Sequence, residues 1–337
     1  MSHLNVAVLG CGVVGITSAI ELKKEFPNAR ITVLAENFND DITSIGAAGI
    51  FRPGISFSGP TEEITRKLIC DAYQYWEDLW MTTDAPNAGV TQLSGYIFSS
   101  KNKALTRNHF IENIVPLYRA ATEEELKLCP GNWKYGSFFT TMLTECRLYL
   151  PWAMKKFENM GGNIVQQKID AFSELNGKYD VIVNCTGLGA KYLCDDYKLV
   201  PMRGQVIKVD APFIKTFFYG DYDTYVIPGF NAVTLGGCRQ FDSYDLTVSR
   251  YDAASIYEHC TSLVPSLKSA RIIKHWVGLR PHRDPVRIEK QILNCNDRKL
   301  KIVHNYGHGG YGVTTAPGTA LYAVKLVKEI LAGNSKL

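Results

Sequence analysis

The stretch VAVLGCGVVGITSAIELKKEFPNARITVLAE, Val6 to Glu36, decides how the rest of the chain is read. VAVL is a short apolar strand, and Val14, Ile16, Ala19, Ile20 and Leu22 mark one face of an amphipathic helix. RITVLA is a second strand. Between strand and helix, Gly10, Gly12 and Gly15 form G-x-G-x-x-G. In that setting the first glycine permits a tight turn, the second lets a pyrophosphate approach the backbone, and the third lets the helix pack close to the strand. A phosphate there meets the free N–H groups of the helix start, Val13 and Val14, and the positive end of its dipole. Glu36 ends the second strand about 20 residues beyond Gly15, where a carboxylate can bond ribose hydroxyls. A 2′-phosphate would clash with Glu36, which disfavours NADP and leaves NAD and FAD open. The bland alternative is an ordinary αβ turn with a surface glutamate.

The next segment separates those two. A chain built for NAD completes its parallel sheet early, whereas this one leaves after two strands into DDITSIGAAGIFRPG, Asp40 to Gly54. Small residues there would let an extended ligand lie against the backbone, with the Thr43 and Ser44 hydroxyls available to phosphate oxygens. GAAGIF is too apolar for a plain surface loop.

Further along, two glutamates in the first turn and Ile64, Leu68, Ile69, Ala72, Trp76 and Leu79 predict a helix from Pro60 to Trp80. Thr122 and Glu125 form a capping box that opens a short helix. Pro151 is read at the first turn of another, which Gly161-Gly162 ends. Tyr179–Gly187, YDVIVNCTG, is a continuous apolar run of the kind buried on both faces of a parallel sheet. From Gly204 to Gly237 the pattern turns to alternating segments of an antiparallel sheet. KIVHNYGHGGYG, Lys301 to Gly312, returns to a buried strand ending in glycines, with a helix after it. The expected class is α/β: a Rossmann-type dinucleotide-binding domain interleaved with a mostly antiparallel-sheet substrate domain. Residues 1–55, 146–200 and 271–337 belong to the first and 56–145 and 201–270 to the second.

With 46% hydrophobic and 21% charged residues in 337, the chain can bury a large core. Its net charge of +4 is scattered, so there is no footprint for nucleic acid or a membrane surface. The apolar run at Val6–Ile20 is too short and glycine-broken to span a bilayer. Nine cysteines without a CxxC pair or zinc-ligand spacing predict reduced thiols and no metal site. The Asn184-Cys185-Thr186 sequon falls inside the apolar strand and is read as chance. The ending Ser335-Lys336-Leu337 is the tripeptide address read by the peroxisomal import receptor, which predicts the peroxisomal matrix.

The segments VAVLGCGVVGITSA, TSIGAAGIFRP, YLPWAMKKF, DVIVNCTGLGA, RGQVIKVDAP, YVIPG, VTLGG, VGLRPHR and HNYGHGGYG occur in that order, and through them the chain resembles the D-amino-acid oxidase / D-aspartate oxidase family over nearly its whole length. The resemblance implies a peroxisomal flavoprotein that binds FAD and oxidises a small D-amino acid with O2. It implies that Thr43, Ser44, Gly49, Ile50, Ile169 and Gly187 line the cofactor, and that Gly309, Gly310, Tyr311, Gly312 and Thr314 approach the flavin pyrimidine. A helix N-terminus aimed there favours negative charge. It implies that Arg280 and Tyr225 hold the substrate α-carboxylate, the two acting by orientation only. A guanidinium fork suits that task.

Arg239 in VTLGGCRQ stands where aspartate-specific members carry Arg, and it points to D-aspartate and D-glutamate; its alternative is an outward pairing with Asp242 or Asp245. Arg52 is a further basic candidate near the flavin. The arginine that the acidic-substrate lid of the family carries is missing from FFYGDYD, where Tyr219 or Tyr222 stands instead. Ala316-Pro317 replaces the usual His-Trp, and a proline there removes a helix donor. His282 and His308 are read as structural. The alternatives are an oxidase of neutral or basic D-amino acids, a flavin or nucleotide sensor without turnover, and an NAD dehydrogenase.

Overall fold

The computed structural model describes residues 4–38, 42–54, 56–295 and 298–333. The chain opens with β1 (Asn5–Leu9), α1 (Val13–Glu25) and β2 (Arg30–Ala35). It then leaves through α2 (Glu62–Trp80) into β3 (Val90–Ser99), β4 (Leu117–Ala120) and β5 (Tyr135–Thr144). It returns through α3 (Cys146–Asn159) to β6 (Asn163–Gln166), β7 (Val181–Asn184) and a single turn, α4 (Ala190–Leu193). A second excursion carries β8 (Val200–Asp210), β9 (Phe217–Tyr219), β10 (Tyr225–Pro228), β11 (Val233–Gly236), β12 (Gln240–Phe241) and α5 (Arg250–Leu263). It comes back through β13 (Arg271–Cys295), β14 (Arg298–His308) and α6 (Gly312–Leu331).

All strands join one sheet. Its parallel half runs β6-β2-β1-β7-β14, and the rest is largely antiparallel. β13 belongs to both halves: Arg271–His282 pairs with β8, and Arg287–Cys295 pairs with β14. The last crossing between halves therefore lies inside one strand, between 282 and 287, later than the break at 270/271 read from the sequence.

β1 alternates between two cores. Val6 and Val8 pack with α1, α3 and α6, while Ala7 and Leu9 pack with Phe172, Leu175, Ile182 and Ile302 on the other face. Burial on both faces explains the unbroken apolar runs. It also corrects the reading of α1 as amphipathic. Residues 15–23 of that helix are buried all round, Thr17, Ser18, Glu21 and Lys23 included, because α3 and α6 cover its outer side. Its buried polar groups are paired: Thr17 with the Tyr149 hydroxyl at 2.9 Å, Lys23 Nζ donating to the Ala29 carbonyl at 2.8 Å, Glu21 with Lys24.

Thr61 caps α2, its hydroxyl accepting from the Ile64 N–H at 3.2 Å, with Glu62 and Glu63 in the first turn. Pro151 is not at the first turn of α3; the helix starts at Cys146, a turn and a half earlier. Thr122 and Glu125 do bond each other's backbone reciprocally, at 2.8 and 3.2 Å, but the box opens only a 3₁₀ turn at Glu125–Lys127. All nine cysteines are free thiols, and Asn184 is fully buried on β7. Among the described residues no helix is long and apolar enough to cross a membrane.

His304 and His308, on β14, are buried, and both are held down to about 3: His304 by burial with Arg287 adding, His308 by burial alone. His304 Nε2 lies 2.7 Å from Gln291 Oε1, and His308 Nε2 lies 3.0 Å from Thr319 Oγ1. The unfolded chain binds these protons below about pH 6.5 and the folded chain does not, so stability falls as pH drops from there toward 3, by roughly 1 kcal/mol per pH unit per histidine. Urea unfolding from pH 7 to 4.5 is expected to show this slope, and His308→Gln to reduce it by about one proton.

Candidate functional site

A single cavity of about 1200 Å³ runs from the carboxyl ends of β1, β2, β7 and β14 across to the face of the antiparallel half. That is where an open α/β sheet places its ligand. The glycine turn occupies its first end. Gly10 has φ +97°, and a methyl there would overlap the Cys185 backbone carbonyl at the end of β7. A methyl on Gly15 would overlap the Gly10 carbonyl, so Gly15 serves helix-to-turn packing and does not itself line the cavity. Gly12 is the one that faces it: an added methyl would meet only Ser44 Oγ, at 3.3 Å. Val13, Val14 and the exposed Glu36 line the same end, with Glu36 just past β2.

The GAAG segment needs its small residues for a different reason from the one expected. Gly46 makes room for the Trp276 ring, and Gly49, at φ +80°, lies against the Thr144 backbone. Of its two hydroxyls, Thr43 donates to the Leu279 carbonyl at 3.1 Å, so its proton is spent inside the protein. Ser44 Oγ accepts from the Val13 N–H at 3.2 Å and keeps its own proton for a ligand, so the Val13 N–H is not free for a phosphate as expected and the Ser44 hydroxyl stands in its place. Thr43, Ser44, Gly49, Ile50 and Ile169 all line the cavity. Gly187 also does, at φ +57°, where an added methyl would meet only Pro281 Cγ, at 3.9 Å.

Midway, a 3₁₀ turn at Gly309–Tyr311 leads into α6, and Gly309, Gly310, Tyr311, Gly312 and Thr314 line the wall. Tyr311 packs on Gly54 and lies 3.1 Å from the Ser56 hydroxyl. His308 points away, to Thr319, in a structural role; His282 borders the cavity and contacts Phe241 edge-on. Pro317 is accommodated inside α6, and nearby the Thr314 carbonyl accepts from the Trp76 indole at 3.3 Å.

Arg280, Tyr225, Arg239 and Arg52 come together at the far end. Arg280 stands on β13 opposite Met202 of β8, and its guanidinium lies flat over Gly204, where a methyl would overlap it. Its Nη1 donates to the Cys238 carbonyl at 3.1 Å. The Tyr225 ring lies on Gly236 and Gly237 in the same way. Burial pushes the Tyr225 phenol up, Arg280 being the largest opposing influence, so it remains a neutral donor at physiological pH.

Arg239 is half exposed and pairs with Asp223 at 3.0 Å, not with Asp242 or Asp245. Its chain neighbours are anchored: Gln240 accepts from the buried Arg203 at 2.8 Å, and the Cys238 sulfur accepts from the Gln205 N–H at 3.1 Å. Asp223 sits in a hairpin turn, Asp221–Thr224, whose central residues Tyr222 and Asp223 have φ of +61° and +57°. That is a type I′ geometry, in which glycine would be unstrained.

Gly204, Gly236, Trp276, Arg203 and Asp223 were not singled out from the sequence. Glycines inside strands are the one signal that could have pointed to some of them, since a strand glycine marks close approach by another group.

The comparisons agree with this geometry. Residues 5–326 match the family model described as FAD dependent oxidoreductase. The chain is 36% identical to the D-aspartate oxidase of Homo sapiens over 331 residues, covering 98% of this chain and 96% of that one. The chain belongs to the D-amino-acid oxidase / D-aspartate oxidase family of FAD-dependent oxidoreductases. It is also 32% identical to a D-amino acid oxidase of Dugesia ryukyuensis over 334 residues, covering 97% and 98%. A solved glycine oxidase from Geobacillus kaustophilus shares the fold, with a TM-score of 0.78 at 17% identity, covering 98% of this chain and 95% of that one.

The residues fit the cofactor. Helix N-termini and glycines face the cavity where phosphates and a planar ring need unobstructed backbone, and Gly12, Gly187 and Gly310 leave space that a side chain would fill. Gly12→Val should yield a folded but colourless protein, checked by flavin absorbance beside far-UV circular dichroism; retained yellow colour would contradict the phosphate placement. Gly204→Ala should displace the Arg280 guanidinium and lower kcat/KM by about 100-fold or more.

Proposed function

We propose that this enzyme oxidises acidic D-amino acids, D-aspartate and D-glutamate, to the 2-oxo acid, ammonia and hydrogen peroxide. The observation that carries the reading is a cluster of three guanidinium groups, Arg280, Arg239 and Arg52, on one cavity wall, with a single carboxylate, Asp223, ion-paired to them among the described residues. Such a wall is short of negative charge, and a dicarboxylate supplies it. A neutral substrate would leave a guanidinium without a partner, which is costly away from water.

FAD, when bound, would supply the acceptor for the hydride of the substrate Cα–H and would pass the electrons on to O2. What the chain contributes is orientation. The planar fork of Arg280, stacked on Gly204 and steadied by the Cys238 carbonyl, takes the α-carboxylate through two parallel hydrogen bonds. The Tyr225 hydroxyl donates to the same group and, being neutral, adds no competing charge. Together they set the Cα–H toward the glycines at the start of α6, beside which Arg280 lies. His282 and His308 are assigned no proton transfer.

The wild-type enzyme is expected to show kcat/KM for D-aspartate at least about 100-fold above that for D-alanine in an oxygen-uptake panel. A preference for D-alanine or D-lysine would replace this reading with that of a neutral or basic oxidase. Arg280→Met should lower kcat/KM for all substrates by about 1000-fold or more, because both ends of the reaction geometry depend on the α-carboxylate.

The ending Ser335-Lys336-Leu337 lies outside the described residues and supports import into the peroxisomal matrix through the receptor for that tripeptide, which would place the peroxide beside the enzymes that remove it. A fluorescent fusion that keeps this end free should be punctate, and deletion of Leu337 should make it diffuse.

A further inference from the structure

Arg239 and Arg52 border the same end of the cavity but stand in opposite electrostatic situations. Arg239 is already neutralised by Asp223, and both side chains of that pair are 46% exposed, so water screens whatever they offer a substrate. Arg52 has no acidic partner among the described residues. Its Nε is buried and makes no hydrogen bond, and its guanidinium lies over the Tyr219 ring at 4.5 Å. Two other acids on the cavity wall are engaged elsewhere: Asp221 accepts from Ser99 and Ser100, and Asp284 from Ser58.

The backbone around Arg52 is held on both sides. The Phe51 N–H donates to the Met142 carbonyl at 2.7 Å, and its carbonyl accepts from the Thr141 hydroxyl at 2.8 Å. The Pro53 carbonyl accepts from the amide of buried Asn108 at 2.7 Å. A long cationic side chain on so fixed a base loses less entropy on gripping a ligand than one on a mobile loop. Tyr219, its stacking partner, is the direct cross-strand neighbour of Tyr225, with ring centroids 5.8 Å apart. Arg52, Tyr219, Tyr225 and Arg280 thus form one continuous wall, with a guanidinium at each end. Burial pushes the Tyr219 phenol up to about 12, Arg52 being the chief opposing influence, so Tyr219 adds a neutral donor between them.

We propose that Arg52, backed by Tyr219, receives the side-chain carboxylate of the substrate, and that Arg239, held by Asp223, is a secondary contributor at the rim. The assignment rests on the acidic-substrate reading above and names the residue that enforces it. It also accounts for the missing arginine in FFYGDYD: the charge reaches the pocket from the FRPG segment instead.

The test uses the FAD-loaded enzyme and two ligands that carry no amine to oxidise, succinate and butyrate, titrated against the flavin absorbance. Their affinity ratio isolates the second carboxylate. Arg52→Met should reduce the succinate-to-butyrate ratio by about 30-fold or more, and Arg239→Met by less than about 5-fold. Arg52→Lys, which keeps the charge without the fork, should retain an intermediate ratio. If Arg52→Met fails to hold flavin, Arg52→Gln against Arg52→Lys makes the same comparison. A ratio that survives at Arg52→Met and collapses at Arg239→Met overturns the assignment while leaving the acidic reading intact. Equal affinity of the wild-type enzyme for both ligands overturns the acidic reading itself, and this assignment with it.

Discussion

One strand, β13, carries the constraint on which the site depends. Its first part is hydrogen-bonded to β8 and its last part to β14, so the antiparallel half cannot be displaced from the parallel half without breaking ladder pairs in both. Arg280 sits on that strand two residues before His282, whose position is paired with both neighbours. The Arg280 guanidinium is therefore tied through backbone hydrogen bonds to the glycines that open α6. The arginine end and the glycine end of the cavity are joined by one continuous element, without a flexible linker between them. Where binding groups must hold a ligand in register with a cofactor, such a tie limits their relative movement.

The glycines of this protein do two jobs that look alike in one dimension. Gly12, Gly187, Gly310 and Gly312 leave cavity space open, as ligand approach requires. Gly46, Gly204, Gly236 and Gly278 instead make room for Trp276, Arg280 and Tyr225, pressing large side chains flat against the backbone. The second group fixes the cavity wall around Arg280 and Tyr225. A side chain lying on a glycine has few alternative rotamers, and its position is paid for when the chain folds, before substrate arrives.

The charge of the pocket follows the same economy. Arg203 is the most buried arginine, yet it does not line the cavity. It binds Asp252, Gln240, Gln205 and the carbonyls of Asp245 and Thr247, and so pins the segment that carries Cys238 and Arg239. One fully satisfied cation thus positions another that is less satisfied. At the rim the Arg239–Asp223 pair is half exposed, and inside Arg52 stands over an aromatic face. Of these last two, the guanidinium with no acidic partner among the described residues is the less exposed one, where a carboxylate ligand would gain more.

The sequence by itself determined the glycine turn, its partner Glu36, the interleaving of parallel and antiparallel segments, and, through its motifs, the family. These are legible because strand period, turn glycines and helix starts are local in the chain. It also supplied Arg280, Tyr225, Arg239 and Arg52 as candidates, and all of them border one cavity. It misjudged α1, whose outer face is covered by α3 and α6, because periodicity shows which side of a helix is apolar but not what lies on the other side. Only the tertiary structure decided that Thr43 spends its hydroxyl on Leu279, that Arg239 is matched by Asp223, and that Arg52 has no acidic partner among the described residues. The reason is physical: whether a charge is free depends on partners that arrive from distant parts of the chain, and pairing across such distances leaves no mark on the spacing of residues.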